Sequence, residues 1–482
     1  MSDHVFRYHL DTVGGFLTVQ TRPLSRNGKY LKPRGEIVRY DLATGRRLWA
    51  RPLRYGTQTV ADVPGATLFF DGDHTSLLAP DTGEPVWAVE HTHLVYVSAS
   101  AGVALGYRHR PGRASPTERY GTLRGIDLRD GRVRWERPIT RAYGWDDVVM
   151  LDAHTALIVA AGVHRVDLRT GEGWDFTTAT ATRKYDRAIV TAVGGIALGA
   201  LTGVYVVGDV SPDLVRGAVS NLLIEGGGVY FAGLEEIIRL DLETGAPTWR
   251  TPLPKGDVSA SVIAAGEDEL FFLNRGFAYR NGRSIRFGRP FVAAFAKTDG
   301  RQRYLEHTAA KGNPVLGWAV DGTRADLAFA QMVKRVDLAE GTVGGRYNRP
   351  GDQPLLAGLL GDDAYVLSAD GASVVPATER FGSVRLLRDE ASDVLALDAT
   401  MAPLAELPGD GVYAALEASG AYRVLANDGR QVVTDPTGRL LGTIGFEAPG
   451  QMYGSRYYIG DEDRIIVVDL ADFDAAGVSG RD

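Results

Sequence analysis

The chain has 482 residues, 44% apolar and 23% charged, a balance that supplies ample core and excludes disorder as the main state. It contains no cysteine, which excludes disulfides, cysteine–zinc sites, thiol nucleophiles and acylation at cysteine. A formal net charge of -7 argues against a generally basic nucleic-acid binder.

The chain opens on MSDHVFRYHLD, where Asp3, Arg7 and Asp11 interrupt any apolar core, so no export signal is expected. No apolar run approaches the ~18 residues of a spanning helix, so no membrane span is expected and a cytoplasmic setting is the default. Residues 4–10, HVFRYHL, read as a strand, and 21–35 form a first long excursion. A repeated unit then begins. Its clearest copies are VRYDLATGRRLWARPL (38–53), SLLAPDTGEPVWAVE (76–90), RGIDLRDGRVRWERPI (124–139), VHRVDLRTGEGWDF (163–176) and IIRLDLETGAPTWRTPL (237–253). Weaker copies lie at 293–306, 333–345, 393–407 and 432–444, with a truncated one at 465–470. The segment 187–210 reads as a degenerate unit, and the tail from 471 to 482 as loose.

Each residue of the unit has a mechanical reason. Asp41 or Asp241 can bond turn amides through its side chain, and the following glycine takes positive φ, so the unit is a hairpin. Trp49, Trp87, Trp135 and Trp249 are flat bodies suited to packing between neighbouring sheets. Most copies are preceded by two further short alternating runs and none by a convincing helical period, which gives three or four strands per unit. The turn glycines fall at 45, 83, 131, 171, 245, 300, 341 and 438. A spacing of roughly 40–50 residues with four strands per unit predicts an all-β β-propeller. About eight to eleven units are expected, in one continuous ring over 1–470, the alternative being two smaller propellers.

The Asp-Leu-x-Thr-Gly-x-x-x-Trp turn, found along nearly the whole chain, resembles that of the pyrroloquinoline-quinone-like (quinoprotein-type) propeller repeat family. The resemblance implies the fold, a WD40-like propeller, but points to no one function, because the repeat sits on the structural outer edge of each blade and the family includes membrane-anchored assembly scaffolds, alcohol and sugar dehydrogenases and proteins that bind no quinone. Quinone dehydrogenases of the family use a calcium ion, an Asp base and often a cysteine pair. This chain has no cysteine and no recognisable calcium motif, so a member without quinone, cofactor or metal is expected.

If four strands run outward from an axis, the connections between second and third strands share one face. Four are long: 21–35, 107–121, 274–290 and 370–391. The first three carry Arg22, Arg26, Lys29, Lys32 and Arg34; Arg108, Arg110, Arg113 and Arg119; and Arg275, Arg280, Arg283, Arg286 and Arg289, with Glu118 the sole acid. Aromatics, among them Tyr30, Tyr279 and Phe287, interleave with them. Arginine with aromatics suits a carboxylate-rich protein or an anionic ligand, with single-stranded nucleic acid less favoured. The plain alternative is solvated loops.

A second set would line the funnel mouth at the starts of inner strands: His91, His93, Tyr143, Trp145, Asp146, Tyr185, Asp186, Asp257 and Asn313. Such a ring could serve a lyase, cyclase or hydrolase. His91 and His93 lack a third ligand in their motif, so no metal site is expected. The sequence therefore predicts a cytoplasmic binding scaffold that holds an acidic protein or anionic ligand on basic loops, with a propeller enzyme as the alternative.

Overall fold

The computed structural model describes residues 4–475, except 56–57, 64–65, 72, 109–121, 140–146, 161, 178–219, 234, 281–282, 287, 362, 408–410, 428–429, 447 and 462–463. The described residues are almost entirely strands, arranged as a β-propeller. Sheet 1 sets the pattern: His4–Asp11, Phe16–Arg22, Arg34–Asp41 and Arg47–Arg54 pair in sequence order as an antiparallel meander. Seven further four-stranded sheets repeat it: sheets 2 (59–90), 3 (92–137), 4 (147–177), 5 (223–252), 6 (261–307), 7 (317–348) and 8 (356–407). Sheet 9 has six strands and sheet 10 (450–469) three. Among the described residues, these ten sheets, beside one two-stranded ribbon, fall within the expected count.

The chain divides into two compact units. One holds Phe6–Phe291 and Phe295–Arg303; the other holds Tyr304–Asp482 with Ser2–Val5 and Val292–Ala294.

The repeated turn folds as its residues predict. Asp41 Oδ1 accepts the Thr44 amide at 2.7 Å and the Thr44 hydroxyl at 2.6 Å, and Asp241 does the same with Thr244 at 2.8 and 2.7 Å. Those hydroxyl bonds, with the amides, hold both carboxyls below their usual range. All eight anticipated turn glycines have positive φ.

The core lies between sheets. In the first unit, the aromatic of each fourth strand docks on the glycine turn of the next sheet. Trp49 Nε1 donates to Pro80 O (2.7 Å), Trp87 to Leu128 O (2.9 Å), Trp135 to Leu168 O (2.7 Å), Trp174 to Leu242 O (3.0 Å) and Trp249 to Lys297 O (3.0 Å). The glycine is required under each ring. A Cβ on Gly83 would stand 2.6 Å from the Trp49 ring, and one on Gly131 2.7 Å from Trp87. Two residues beyond the aromatic, Arg137 and Thr251 also donate to the turn glycine, reaching Gly171 O (3.1 Å) and Gly300 O (2.6 Å). Apolar layers complete the seams, such as Ile37, Trp49, Leu53, Val60, Phe69 and Leu78 between sheets 1 and 2.

Several expectations need correction or fall outside the described residues. Sheets 4 and 5 dock directly through Trp174, while the degenerate unit at 187–210 lies outside the described residues. His4–Asp11 pairs with Phe16–Arg22 in sheet 1, and Arg456–Asp461 with Arg464–Asp469 in sheet 10. The tail opens with a helical turn at Ala471–Ala475.

The segment 370–391 is not a connection between second and third strands. In sheet 8 the first strand, Leu356–Leu359, pairs directly with Arg385–Asp389. The chain between them leaves the sheet, and its strands Ala364–Leu367 and Val374–Pro376 join sheet 9. There Val374 N donates to Gly438 O (2.9 Å) and Leu440 N to Ala372 O (3.0 Å), so the two edges of the six-stranded sheet meet. Val374, Tyr413, Leu425 and Val432 fill its interior. Apolar side chains on the inserted strands drive this, since Ala364 and Val366 bury against sheet 8 residues such as Leu386 and Val394.

Candidate interaction face

In an antiparallel meander the connection between second and third strands lies at the end opposite the glycine turn. The five seams of the first unit use the same two features in the same order. The glycine-turn ends of sheets 1 to 6 therefore succeed one another on one side, and the connections rooted at Arg22 and Asn274 start from the other; most of 107–121 lies outside the described residues.

The connection of sheet 1 is a self-bonded arm. Leu24 bridges Leu31, Ser25 N donates to Tyr30 O (2.7 Å) and Lys32 N to Pro23 O (2.8 Å). Gly28, at φ 69°, makes the tip, and Asn27 Oδ1 accepts the Ser25 hydroxyl (2.7 Å) and the Lys29 amide (3.2 Å). Arg26, Lys29, Lys32 and Arg34 are exposed, as is Tyr30 at 65%.

Arg22 departs from its anticipated contact role. Its Nε donates to Lys32 O at 2.9 Å and an Nη to Leu31 O at 3.4 Å, while the guanidinium lies 5.0 Å from the Phe6 ring centre and 4.6 Å from that of Tyr55. It braces the returning limb. Burial pushes the Tyr55 phenol up, with the Arg22 charge opposing.

The connection of sheet 6 contains the strands Phe277–Arg280 and Arg283–Arg286, whose register sets Phe277 opposite Arg286, Tyr279 opposite Ser284 and Arg280 opposite Arg283. Its base is held by Asn274. This residue is 2% exposed; its Oδ1 accepts the Ser259 amide and hydroxyl (both 2.8 Å), and its Nδ2 donates to Asp257 O (2.9 Å) and Arg289 O (2.7 Å). Gly288 packs so closely that a Cβ would stand 2.1 Å from Asp257 O. Arg22 and Asn274 occupy the same place, the last residue of the second strand, and both reach carbonyls of the returning limb.

In sheet 3 the corresponding residue is Arg108, which is exposed; Arg110 and Arg113 lie outside the described residues, as does Phe287. Of the funnel candidates, Tyr143, Trp145, Asp146, Tyr185 and Asp186 also lie outside them. His93 belongs to Thr92–Ser98, opposite Tyr107. His91 takes φ 51° in the turn before it, its amide donating to Asp73 O (2.6 Å). Asp257 is engaged by Arg289 at 3.2 Å, which joins a funnel candidate to a loop candidate. Asn313 belongs to the second unit, its amide donating to Ala310 O (3.2 Å). Among the described residues, no group of three or more His, Asp or Glu could hold a metal ion.

Sequence reasoning missed the Asn274 brace, which rests on long-range contacts. It also missed a legible signal: both arms carry Arg-Asn-Gly followed by a base, at 26–29 and 280–283.

A family model of the PQQ type, described as outer membrane protein assembly factor BamB, matches residues 23–222. No curated protein matches the sequence. Among solved structures, BamB from Moraxella catarrhalis is similar at 16% identity and a TM-score of 0.36, over 73% of this chain and 92% of that one. The dihydro-heme d1 dehydrogenase NirN in complex with DHE is similar at 11% identity and 0.34, over 85% and 77%. The C-terminal WD40 domain of Sif2 is similar at 8% and 0.34, over 90% and 97%. Residues 23–222, under half of the chain, thus carry a PQQ-like β-propeller repeat.

Proposed function

We propose that the protein is an interaction scaffold whose first unit holds an acidic protein surface on its basic arms. The observation that carries this reading is the arm of sheet 1. It projects Arg26, Lys29, Tyr30, Lys32 and Arg34 into solvent, contains no acid, and is fixed at its base by Arg22. An arm ordered before binding loses little conformational entropy on contact. Bases clustered against an acidic chain steer an acidic partner to that side. The similarity to BamB over residues 23–222 supports a protein partner in general.

Exposed charges are screened over ~8 Å at physiological ionic strength, so capture should weaken steeply with salt. The test is pull-down of partners from native lysate across a salt series, with the wild type beside Arg26→Glu/Lys29→Glu/Lys32→Glu. The proposal expects salt-sensitive capture that the triple variant loses while its melting temperature holds. Capture insensitive to both salt and charge reversal would refute it.

A further inference from the structure

We infer that the glycine turn of sheet 1, at 41–46, is a docking seat for a tryptophan carried on an extended segment of a partner protein. The inference goes beyond the basic-arm reading and is independent of it, since the glycine turn lies at the opposite end of the sheet from the arm.

The repeat shows what such a turn receives. Six turn glycines lie under a ring from the sheet before: Gly83, Gly131, Gly171, Gly245 and Gly300 under tryptophans, and Gly341 under Tyr304. A Cβ on any of them would stand 2.3–2.7 Å from that ring, so only a glycine leaves the bed clear. All six are buried or half-buried. Gly45 is exposed, and among the described residues nothing lies within 4 Å of where its Cβ would stand.

The bed itself is the same. The turn of sheet 1 reads Asp-Leu-Ala-Thr-Gly and that of sheet 5 Asp-Leu-Glu-Thr-Gly. Gly45 N donates to Asp41 O and Gly245 N to Asp241 O, both at 2.8 Å. Asp41 N donates to Arg46 O at 3.0 Å, and Asp241 N to Ala246 O at 2.9 Å. Both threonines bond their aspartate alike, and φ is 68° at Gly45 and 69° at Gly245. Gly245 carries the Trp174 ring; Gly45 presents the same surface to solvent. Positive φ alone does not force glycine, since Met401 holds φ 69° in the corresponding turn of sheet 8, where Gly345 faces it.

The seams also specify the occupant. Tryptophan fills five of the six seats. In three of them the residue two places beyond the ring donates to the seated glycine's carbonyl: Arg51 to Gly83 O, Arg137 to Gly171 O and Thr251 to Gly300 O. The segment that fits Gly45 is therefore a strand with Trp-x-Arg or Trp-x-Thr. Its indole removes a large flat area from water at little loss of rotamer freedom. The described tryptophans of this chain are committed elsewhere: five are seated on other turns, and Trp318 lies in the first strand of sheet 7, opposite Leu327.

The experiment uses the full chain and the acetylated peptide Pro-Thr-Trp-Arg-Thr-Pro, the sequence of Pro247–Pro252, beside its Trp→Ala counterpart. Saturation-transfer NMR with millimolar peptide gives affinities for the wild type, Gly45→Ala and Gly322→Ala. Gly322, at φ 56° with nothing within 4 Å, takes the same backbone strain away from the seat. Melting temperature is the folding control. The expected result is that the wild type and Gly322→Ala bind alike, with the indole protons receiving most saturation, and that the peptide slows amide exchange at 41–46. Gly45→Ala should bind at least about tenfold more weakly, because its methyl stands where the ring must lie. The Trp→Ala peptide should not bind. Equal affinity of Gly45→Ala, equal binding of the two peptides, or no binding to the wild type would overturn the seat. A melting temperature lowered by Gly45→Ala well beyond Gly322→Ala would mean that the chain seats a ring of its own, and a dimer that Gly45→Ala converts to monomer would mean that a second copy does. Either result would exclude a partner protein. None of these variants touches the basic arm, whose salt-series test stands or falls separately.

Discussion

The two units solve the same packing problem with opposite assignments of bulk. In the first, a large ring on the fourth strand lies on a glycine of the next sheet, five times in succession. The second begins in that manner: the Tyr304 hydroxyl donates to Leu338 O at 2.5 Å, and a Cβ on Gly341 would stand 2.6 Å from the Tyr304 ring. Sheet 7 then carries Gly345 four residues past its turn glycine, where sheets 1, 2, 3, 5 and 6 place the ring. The turn of sheet 8 carries Met401 at φ 69° in the glycine's place, and a Cβ on Gly345 would stand 3.3 Å from Met401 Cγ. Arg335 takes over as donor, bonding Ala399 O, the carbonyl next after Asp398, much as the indoles of sheets 2, 3 and 4 bond the leucine next after the turn aspartate.

The reversal recurs between sheets 9 and 10, where Gly442 holds the ring position and Phe473, from the terminal helical turn, lies over it; a Cβ there would stand 2.2 Å from the Phe473 ring. At Gly438 the inserted strand covers the turn instead, with Val374 O only 2.2 Å from where a Cβ would be. What the seam needs is one bulky and one small partner with a donor to the turn carbonyl. Which strand supplies the bulk is free, because dispersion and area burial are indifferent to it.

The largest expected effect is in the regular seams. Trp135→Ala should cost about 3–5 kcal/mol by denaturant unfolding of the first unit, since it removes a buried ring and its bond to Leu168 O. A loss below about 1 kcal/mol would mean that the rings do not hold the seams.

The reversed seam offers a sharper test. Gly345→Trp alone should destabilise by about 1–3 kcal/mol through overpacking against Met401. Combined with Met401→Gly it should recover much of that loss, giving a coupling of about 1–3 kcal/mol in a double-mutant cycle. Additive effects would show that the two seams are not equivalent.

The arm braces come next. Asn274→Ala leaves several buried partners unpaired and should cost about 1–3 kcal/mol. It should also speed amide exchange at the root of the sheet 6 arm, leaving the sheet 1 arm unchanged. Uniform acceleration in both arms would mean general loosening.

The smallest effect is electrostatic. The Thr437 hydroxyl, bonded at 2.6 Å, together with Arg439 and the turn amides, holds the Asp435 carboxyl down at about 2. An unfolded aspartate titrates near ~3.9, so this turn adds stability above that pH and loses it as pH falls towards 2. Asp435→Asn should flatten the acid limb of the second unit's stability profile in that window. An unchanged profile would remove the turn from the acid response.

The glycine turns, the Trp seams and hence the propeller are written in local spacing. Asp41, Gly45 and Trp49 act within one hairpin and its neighbour, so their pattern survives reading one residue at a time. Past Gly341 the pattern fades because bulk has moved to Met401 and Phe473, residue types that a search for tryptophan passes over. The insertion at 364–376 was hidden for another reason: its strands choose their sheet by long-range pairing. Arg22 reads as one more surface charge until its two carbonyl partners, eight or more residues away, are folded against it. The exposed bases of the sheet 1 arm were legible because charge and loop length are properties of composition.

The proposed contact falls on one side of the first unit. Hydrogen exchange of the full chain, with and without saturating poly-L-glutamate, tests it most directly. Slowed exchange at 24–33 and in the 275–289 arm, with the glycine turns at 41–46, 79–84 and 127–132 unaffected, is the predicted footprint. Protection centred on those turns, or spread over both ends of the sheets, would contradict it.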